Sequence, residues 1–375
     1  MRTLIFDSTL TGHHLEYLHY LYEGAIIRSP KEYIFAVPHN EWEKMRGKRE
    51  WLPANNIQWF MLNDDECAST NSKNLLIQSY KISRLIKRVA KEVGADNIFL
   101  ISLAGAVPFL PLMLSAKIKL SGIIYKIYLR SPKKGIRRLL DNLRYLIMSK
   151  NISMKNIFIL NDPRSTKRLN ELYRSDKFIS LPDPVPSVNK KSLRNLRNDF
   201  GISDKTTIFL HFGAMDKRKG TIEILRALCL MNSNEHFNKT FVFAGCIKAS
   251  LKHEFYNLVH SAKLKNANIV VIDEFCTYDF LNSLCYTADC ILIPYLITDL
   301  SSGALGYAAV HDTPVIGPKD GLIGELINDN NLGTTIAQIT PNTIKNAIVQ
   351  FSPHHSYNDY AQKNSITSFI KNILD

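Results

Sequence analysis

Two short loops carry the residue types that hold anions. In FGAMDKRKGTIEILRAL (Phe212–Leu228), a strand-like run ends at Phe212 and Gly213 lets the chain turn. Lys217, Arg218 and Lys219 then stand directly before Gly220 and a helical pattern. Cations beside a helix amino terminus bind an anion by charge and by exposed N–H groups together. In DLSSGALGYAAVHDTPVIG (Asp299–Gly317), Ser301, Ser302 and Gly303 open a second helix. A single serine there is explained by N-capping. Two serines and a glycine leave the backbone accessible and add hydroxyl donors where the helix dipole favours negative charge. Two such helix mouths on adjacent loops suit a diphosphate.

The elements that must position these loops read as alternating α/β units. Candidate strands are TLIF (3–6), EYIFAV (32–37), IQWFML (57–62), NIFLIS (97–102), IIYKIYL (123–129), NIFIL (156–160) and FISL (178–181). They are nearly continuous in β-branched and aromatic residues, the pattern of strands buried on both faces of a parallel sheet. The segment LPDPVPSVNKK (181–191) interrupts this rhythm with prolines that exclude helix and central strand. The rhythm resumes with TTIFLHF (206–212), TFVFAG (240–245), NIVVID (268–273), ADCILIP (288–294), TPVIG (313–317) and GTTIA (333–337). The expected architecture is two Rossmann-like α/β domains, residues 1–184 and 185–355, facing each other across a cleft. A last helix over 356–375 is expected to cross back to the first domain. Ligands of open α/β sheets bind outside the carboxyl ends of the strands, so the loops after strands are where chemistry is expected.

The 375 residues carry a formal charge of +13, which implies an anionic partner. From Tyr125 to Lys155 there are nine cations against one acid, Asp141, a local excess of +8. There Ile136, Leu139, Leu140, Leu143, Leu146 and Ile147 fall at helical spacing. A basic helix (133–150) with an apolar stripe can lie on an anionic membrane surface. It can also pack that stripe on its own domain, and the two are compatible. No nucleic-acid-binding signature accompanies the charge. No run is long and apolar enough for a membrane span, and the amino terminus lacks the pattern of a signal peptide. The six cysteines contain no C-x-x-C pair and read as reduced thiols. The expected location is therefore cytoplasmic.

Taken as a set, several of these features resemble the family-4 glycosyltransferases (glycosyl transferases group 1) of the GT-B fold. They are Gly213 with Lys219-Gly220, Asp299 eight positions before Tyr307, the small-residue helix, Pro314-Val315-Ile316, and DGLIGELI (320–327). The resemblance covers most of residues 200–335. It implies a nucleotide-sugar donor, a glycan or lipid-linked acceptor, transfer of a hexose with retention of configuration, and no cofactor or obligatory metal. It further implies bacterial-type cell-surface polysaccharide assembly, with the enzyme peripheral on the inner membrane face. By the same resemblance Lys219, Arg218 and Asp299 carry the chemistry. Gly213, Glu274, Phe275, Ser301, Ser302, Gly303 and Tyr307 contact the donor, Phe275 being equally readable as core. Gly12, His13 and His14 lie on the acceptor side, where the histidines also read as helix-capping or solvent-exposed. Two positions depart from the family pattern: Ala214 replaces a common arginine, and Tyr307 stands where a carboxylate holds ribose hydroxyls. Rival readings are a nucleotide-sugar epimerase on the same scaffold and a non-catalytic scaffold or glycan-binding protein.

Overall fold

The computed structural model describes residues 1–130, 135–185, 187–189 and 191–375. The chain divides into two compact units, Met1–Pro182 with Thr367–Asp375, and Asp183–Ile366.

The first unit is built on seven strands, β1 (Arg2–Phe6), β2 (Glu32–Pro38), β3 (Ile57–Leu62), β4 (Asn97–Leu100), β5 (Lys119–Ile124), β6 (Met154–Leu160) and β7 (Phe178–Leu181). All pair in parallel, in the order β3-β2-β1-β4-β5-β6-β7. Tyr33 to Val37 are buried without alternation because both faces of β2 are covered. The covering helices are α1 (His14–Ile26), α2 (His39–Met45), α3 (Asp64–Thr70), α4 (Leu75–Glu92), α5 (Phe109–Met113), α6 (Ile136–Lys150) and α7 (Pro163–Tyr173). The strand expected over 123–129 lies earlier. β5 ends at Ile124, and Tyr128–Arg130 form a 3-10 turn. The polar pair Ser121-Gly122 hides the true strand, yet Gly122 is needed there: a Cβ would sit 2.7 Å from the Leu100 carbonyl of β4.

The second unit has β8 (Thr207–Phe212), β9 (Lys239–Ala244), β10 (Asn268–Ile272), β11 (Cys290–Leu292), β12 (Val315–Pro318) and β13 (Gly333–Ile336). These are parallel too, in the order β10-β9-β8-β11-β12-β13. Its helices are α8 (Thr221–Leu230), α9 (Ser233–His236), α10 (Ala249–Lys263), α11 (Tyr278–Thr287), α12 (Gly303–Val310), α13 (Gly321–Asp329), α14 (Pro341–Gln350) and α15 (Tyr360–Lys363). In each sheet the winding direction reverses once, between β1 and β4 and between β8 and β11. Such switch points open the crevice where open α/β sheets bind ligands.

The tail is not one helix over 356–375. α15 ends near Asn364, whose carbonyl accepts from the Val185 N–H at 2.8 Å and is lost to helical pairing. α16 (Ile366–Leu374) follows, and from Thr367 the chain belongs to the first unit. There Phe369 is fully buried, its ring 5.0 Å from that of Tyr17. All six cysteines are free thiols.

Candidate functional site

At the switch point of the second unit, His211 locks three elements together. Its Nδ1 lies 2.9 Å from the Leu292 carbonyl of β11, and its Nε2 lies 2.9 Å from the Thr221 hydroxyl that opens α8. A carbonyl only accepts, so Nδ1 carries the hydrogen and Nε2 accepts from Thr221. Burial pushes the imidazole down to about 4, and it stays neutral. On this platform the Lys217–Lys219 segment forms a 3-10 turn, capped by Asp216, whose Oδ1 accepts from the Lys219 N–H at 3.2 Å. Gly220 then approaches β11 so closely that a Cβ would lie 2.1 Å from the Pro294 carbonyl.

The Lys219 ammonium folds back over the end of β8. It donates to the Phe212 carbonyl at 3.2 Å and lies where a side chain on Gly213 would project, 2.5 Å from an ideal Cβ. It also stands 5.6 Å from the ring centroid of Tyr295, with the Arg218 guanidinium 5.8 Å from the same ring. The Ser302 hydroxyl is 3.5 Å from the Tyr295 hydroxyl, and it accepts from the Ala304 N–H at 3.4 Å as the cap of α12. Both expected anion-holding loops therefore gather around one buried tyrosine. Ser301 is engaged elsewhere, donating to the Asp183 carboxylate at 2.7 Å. Gly303 begins α12, and Asp299 is half-buried in the loop before it. The neighbouring Thr298 carbonyl accepts from the Ile323 N–H at 3.2 Å, which brings the start of α13 to the same edge.

Other expected residues fall differently. Tyr307 lies on the second turn of α12 and is 7% exposed. It belongs to the apolar core, its ring edge-on to Phe212 at 5.5 Å. The helical spacing that aligned it with a donor contact points its ring inward in this chain, because an aromatic has far more apolar surface to bury than a carboxylate. Glu274 and Phe275 are exposed in the loop after β10, Phe275 by 67%. That loop is tied to its neighbour by Asp273, which accepts from the Ile247 N–H and pairs with Lys252.

In the first unit the loop after β1 holds Gly12, His13 and His14. Gly12 adopts φ +63°, His13 is exposed beside Tyr17, and His14 opens α1. His14 Nδ1 is 2.7 Å from a carboxylate oxygen of Asp7, which is 1% exposed. Burial lowers the His14 pKa, but the hydrogen bond and charge of Asp7 outweigh it and the net shift is upward. The Tyr125 ring, after β5, sits 5.6 Å from that of His14. Asp7, His211 and Tyr295 were not singled out from the sequence. Each hides in an apolar strand or strand exit, and only the topology brings it to a switch point.

The basic segment is partly spent within the unit. Arg130 makes a bidentate pair with buried Asp162 at 2.6 and 2.8 Å, Arg138 lies over the Tyr128 ring, and Arg144 donates to the Ala104 and Val107 carbonyls. Lys133 and Lys134 lie outside the described residues.

No protein-family model and no curated protein matches the sequence. Solved structures do resemble it along its whole length. A glycosyltransferase from Rickettsia africae shares 14% identity, with all of this chain and 96% of that one covered at a TM-score of 0.66. Anabaena HepE in complex with UDP and glucose shares 13%, with 100% and 98% covered at 0.69. WaaG, a glycosyltransferase involved in lipopolysaccharide biosynthesis, shares 15%, with 100% and 96% covered at 0.64. The chain has the GT-B fold. In this GT-B chain the Lys217–Lys219 turn and the Ser302 helix mouth cluster at the β8/β11 switch point, and the Asp7–His14 pair marks the β1/β4 switch point. Among the described residues no helix is long and apolar enough to cross a membrane.

Proposed function

We propose that the chain is a glycosyltransferase that takes a nucleotide sugar on its second unit and passes the sugar to a glycan or lipid-linked acceptor. The observation that carries this reading is the convergence of Lys219, Arg218 and Ser302 on Tyr295 at the switch point of the second sheet. Negative charge grows on the departing nucleoside diphosphate during transfer, and preorganised cations and helix-end amides stabilise it there. Lys219 and Arg218 supply the charge and the α12 mouth supplies the dipole, so the reading calls for no resident metal. Asp299 stands beside that mouth, Phe275 and Glu274 offer a surface for the base, and His14 with Gly12 and His13 serves the acceptor. The related fold of HepE, solved with UDP and glucose, supports a uridine donor. The reading includes retention of configuration, a role in cell-surface polysaccharide assembly and peripheral attachment to an anionic membrane through the basic helix α6.

Burial of Tyr307 favours one competing reading, a chain that binds the nucleotide without turnover, since the ribose loses its usual carboxylate partner. Thermal-shift titration with UDP, GDP and ADP, followed by assays for nucleoside diphosphate release from the matching donors, tests both. Stabilisation by one nucleotide with acceptor-dependent release supports transfer. Stabilisation without release supports the binding protein, and inversion of the sugar on its nucleotide without transfer supports an epimerase. A protein that no nucleotide stabilises sinks the proposal, because a ligand selective for the native state raises its melting point by mass action.

A further inference from the structure

Helix α6 turns its apolar stripe outward. Ile136, Leu139, Leu140, Leu143 and Leu146 are 75, 67, 57, 52 and 42% exposed, while Tyr145, Met148 and Ser149 on the opposite side are buried. The spacing places the exposed residues on one face, so packing on its own unit does not account for the stripe. A second apolar surface begins α4, where Leu75, Leu76, Ile77 and Tyr80 are 76, 59, 48 and 43% exposed.

The two helices clasp the same stretch of chain. The Val107 carbonyl accepts from the Ser79 hydroxyl of α4 and from Arg144 Nε of α6, each at 3.1 Å. Ser83 of α4 donates to the Ala106 carbonyl at 2.9 Å, and Arg144 also reaches the Ala104 carbonyl. Between them α5 adds Leu112, 61% exposed. It packs Phe109 on Tyr80 with 5.7 Å between ring centroids, and its Pro111 carbonyl accepts from Asn151 just after α6. Exposed apolar area on this scale marks an interaction site.

Charge selects the occupant. The segment containing α6 carries an excess of +8, and beyond Arg130, Arg138 and Arg144, which turn to partners within the unit, it holds six further cations against Asp141. A second copy of the chain would set like charge against like. An anionic bilayer satisfies both features: leucines enter the headgroup and acyl boundary, and nearby lysines and arginines are drawn to the anionic headgroups.

We infer that the start of α4 and the outer face of α6 form one two-helix foot that docks the first unit on an anionic lipid surface. The inference extends the peripheral reading given above, which names the basic helix alone, and it does not depend on glycosyl transfer.

The test is flotation of the full chain with phosphatidylcholine vesicles, with and without phosphatidylserine, using two double variants. L139E/L143E alters α6 and L76E/I77E alters α4. All four positions are exposed, and an unchanged melting curve with an unchanged nucleotide response certifies each variant as folded. The wild type is expected to bind the phosphatidylserine vesicles and to release at high salt, and each variant to bind at least tenfold less. Loss from the α6 variant with wild-type binding by the α4 variant overturns the two-helix foot and leaves the basic helix as the attachment. A wild type that binds neither vesicle overturns the membrane reading as well. Self-association in light scattering that the same variants abolish, without vesicle binding, gives the surface to a second copy and overturns the foot.

Discussion

The Lys219 ammonium occupies the space that a side chain at position 213 would need, and Gly213 itself holds φ +91°. Gly213→Ala therefore acts twice. It strains the backbone by about 1–3 kcal/mol, and it moves the ammonium off the Phe212 carbonyl and away from Tyr295. The expected result is a melting point several degrees lower and donor affinity reduced at least tenfold. Lys219→Met keeps most of the bulk and removes the charge. Its expected effect is a hundredfold or greater fall in kcat with little change in stability, read by steady-state kinetics beside a melting curve. Equal losses in stability for the two variants would contradict the assigned roles. These residues were legible from sequence because glycine-to-lysine spacing and a Ser-Ser-Gly helix mouth are local patterns. Tyr295 and Asp7 were not, since a tyrosine after a strand and an aspartate at a strand exit gain meaning only from what the sheet order sets beside them.

His211 shows how elements hold the site, because one ring fastens β8, β11 and the first turn of α8. Burial depresses its pKa to about 4, below the ordinary value of about 6.5. The unfolded chain then binds more protons than the native state between those two values, so stability falls as pH drops through that window. The loss from this ring approaches about 3 kcal/mol once the pH is below the folded value. His311, also pushed down to about 4 by burial, adds to it with the same sign. Melting curves from pH 7 to pH 4.5 should show the second unit weakening steeply. His211→Asn, which cannot take up the proton, is expected to be less stable at pH 7 and to show a shallower acid dependence. An acid slope as steep as the wild type's would remove His211 as its source. The strands themselves were readable because parallel sheets bury both faces and leave unbroken apolar runs. β5 was displaced because its pairing half contains Ser121-Gly122, and α6 kept two readings open because a stripe alone does not say which way it faces.

Over the whole chain, charge and connectivity act at different ranges. The +13 excess concentrates around α6, whereas connectivity hands nine carboxyl-terminal residues to the first unit. The proline-rich connector was visible from its composition. The return of a last helix to the first unit was expected as well, but its start at Ile366 was not legible, because it depends on Val185 claiming the Asn364 carbonyl within the second unit. Those last residues are structural members of the first core. Phe369 is fully buried, Ile370 fills the space over Gly24, and Asp375 pairs with Arg28 at 2.9 Å. Removing a buried phenylalanine alone typically costs about 3–5 kcal/mol. A chain ending at Ile366 should therefore unfold its first unit well below the wild-type temperature while the second unit keeps its own transition. Calorimetry with and without the nucleotide that stabilises the wild type separates the two, since only the unit that binds it shifts upward. The expected record is a low-temperature transition indifferent to nucleotide and a second that still responds. One merged transition, lowered and still shifted by nucleotide, would instead mean that α16 supports both units alike.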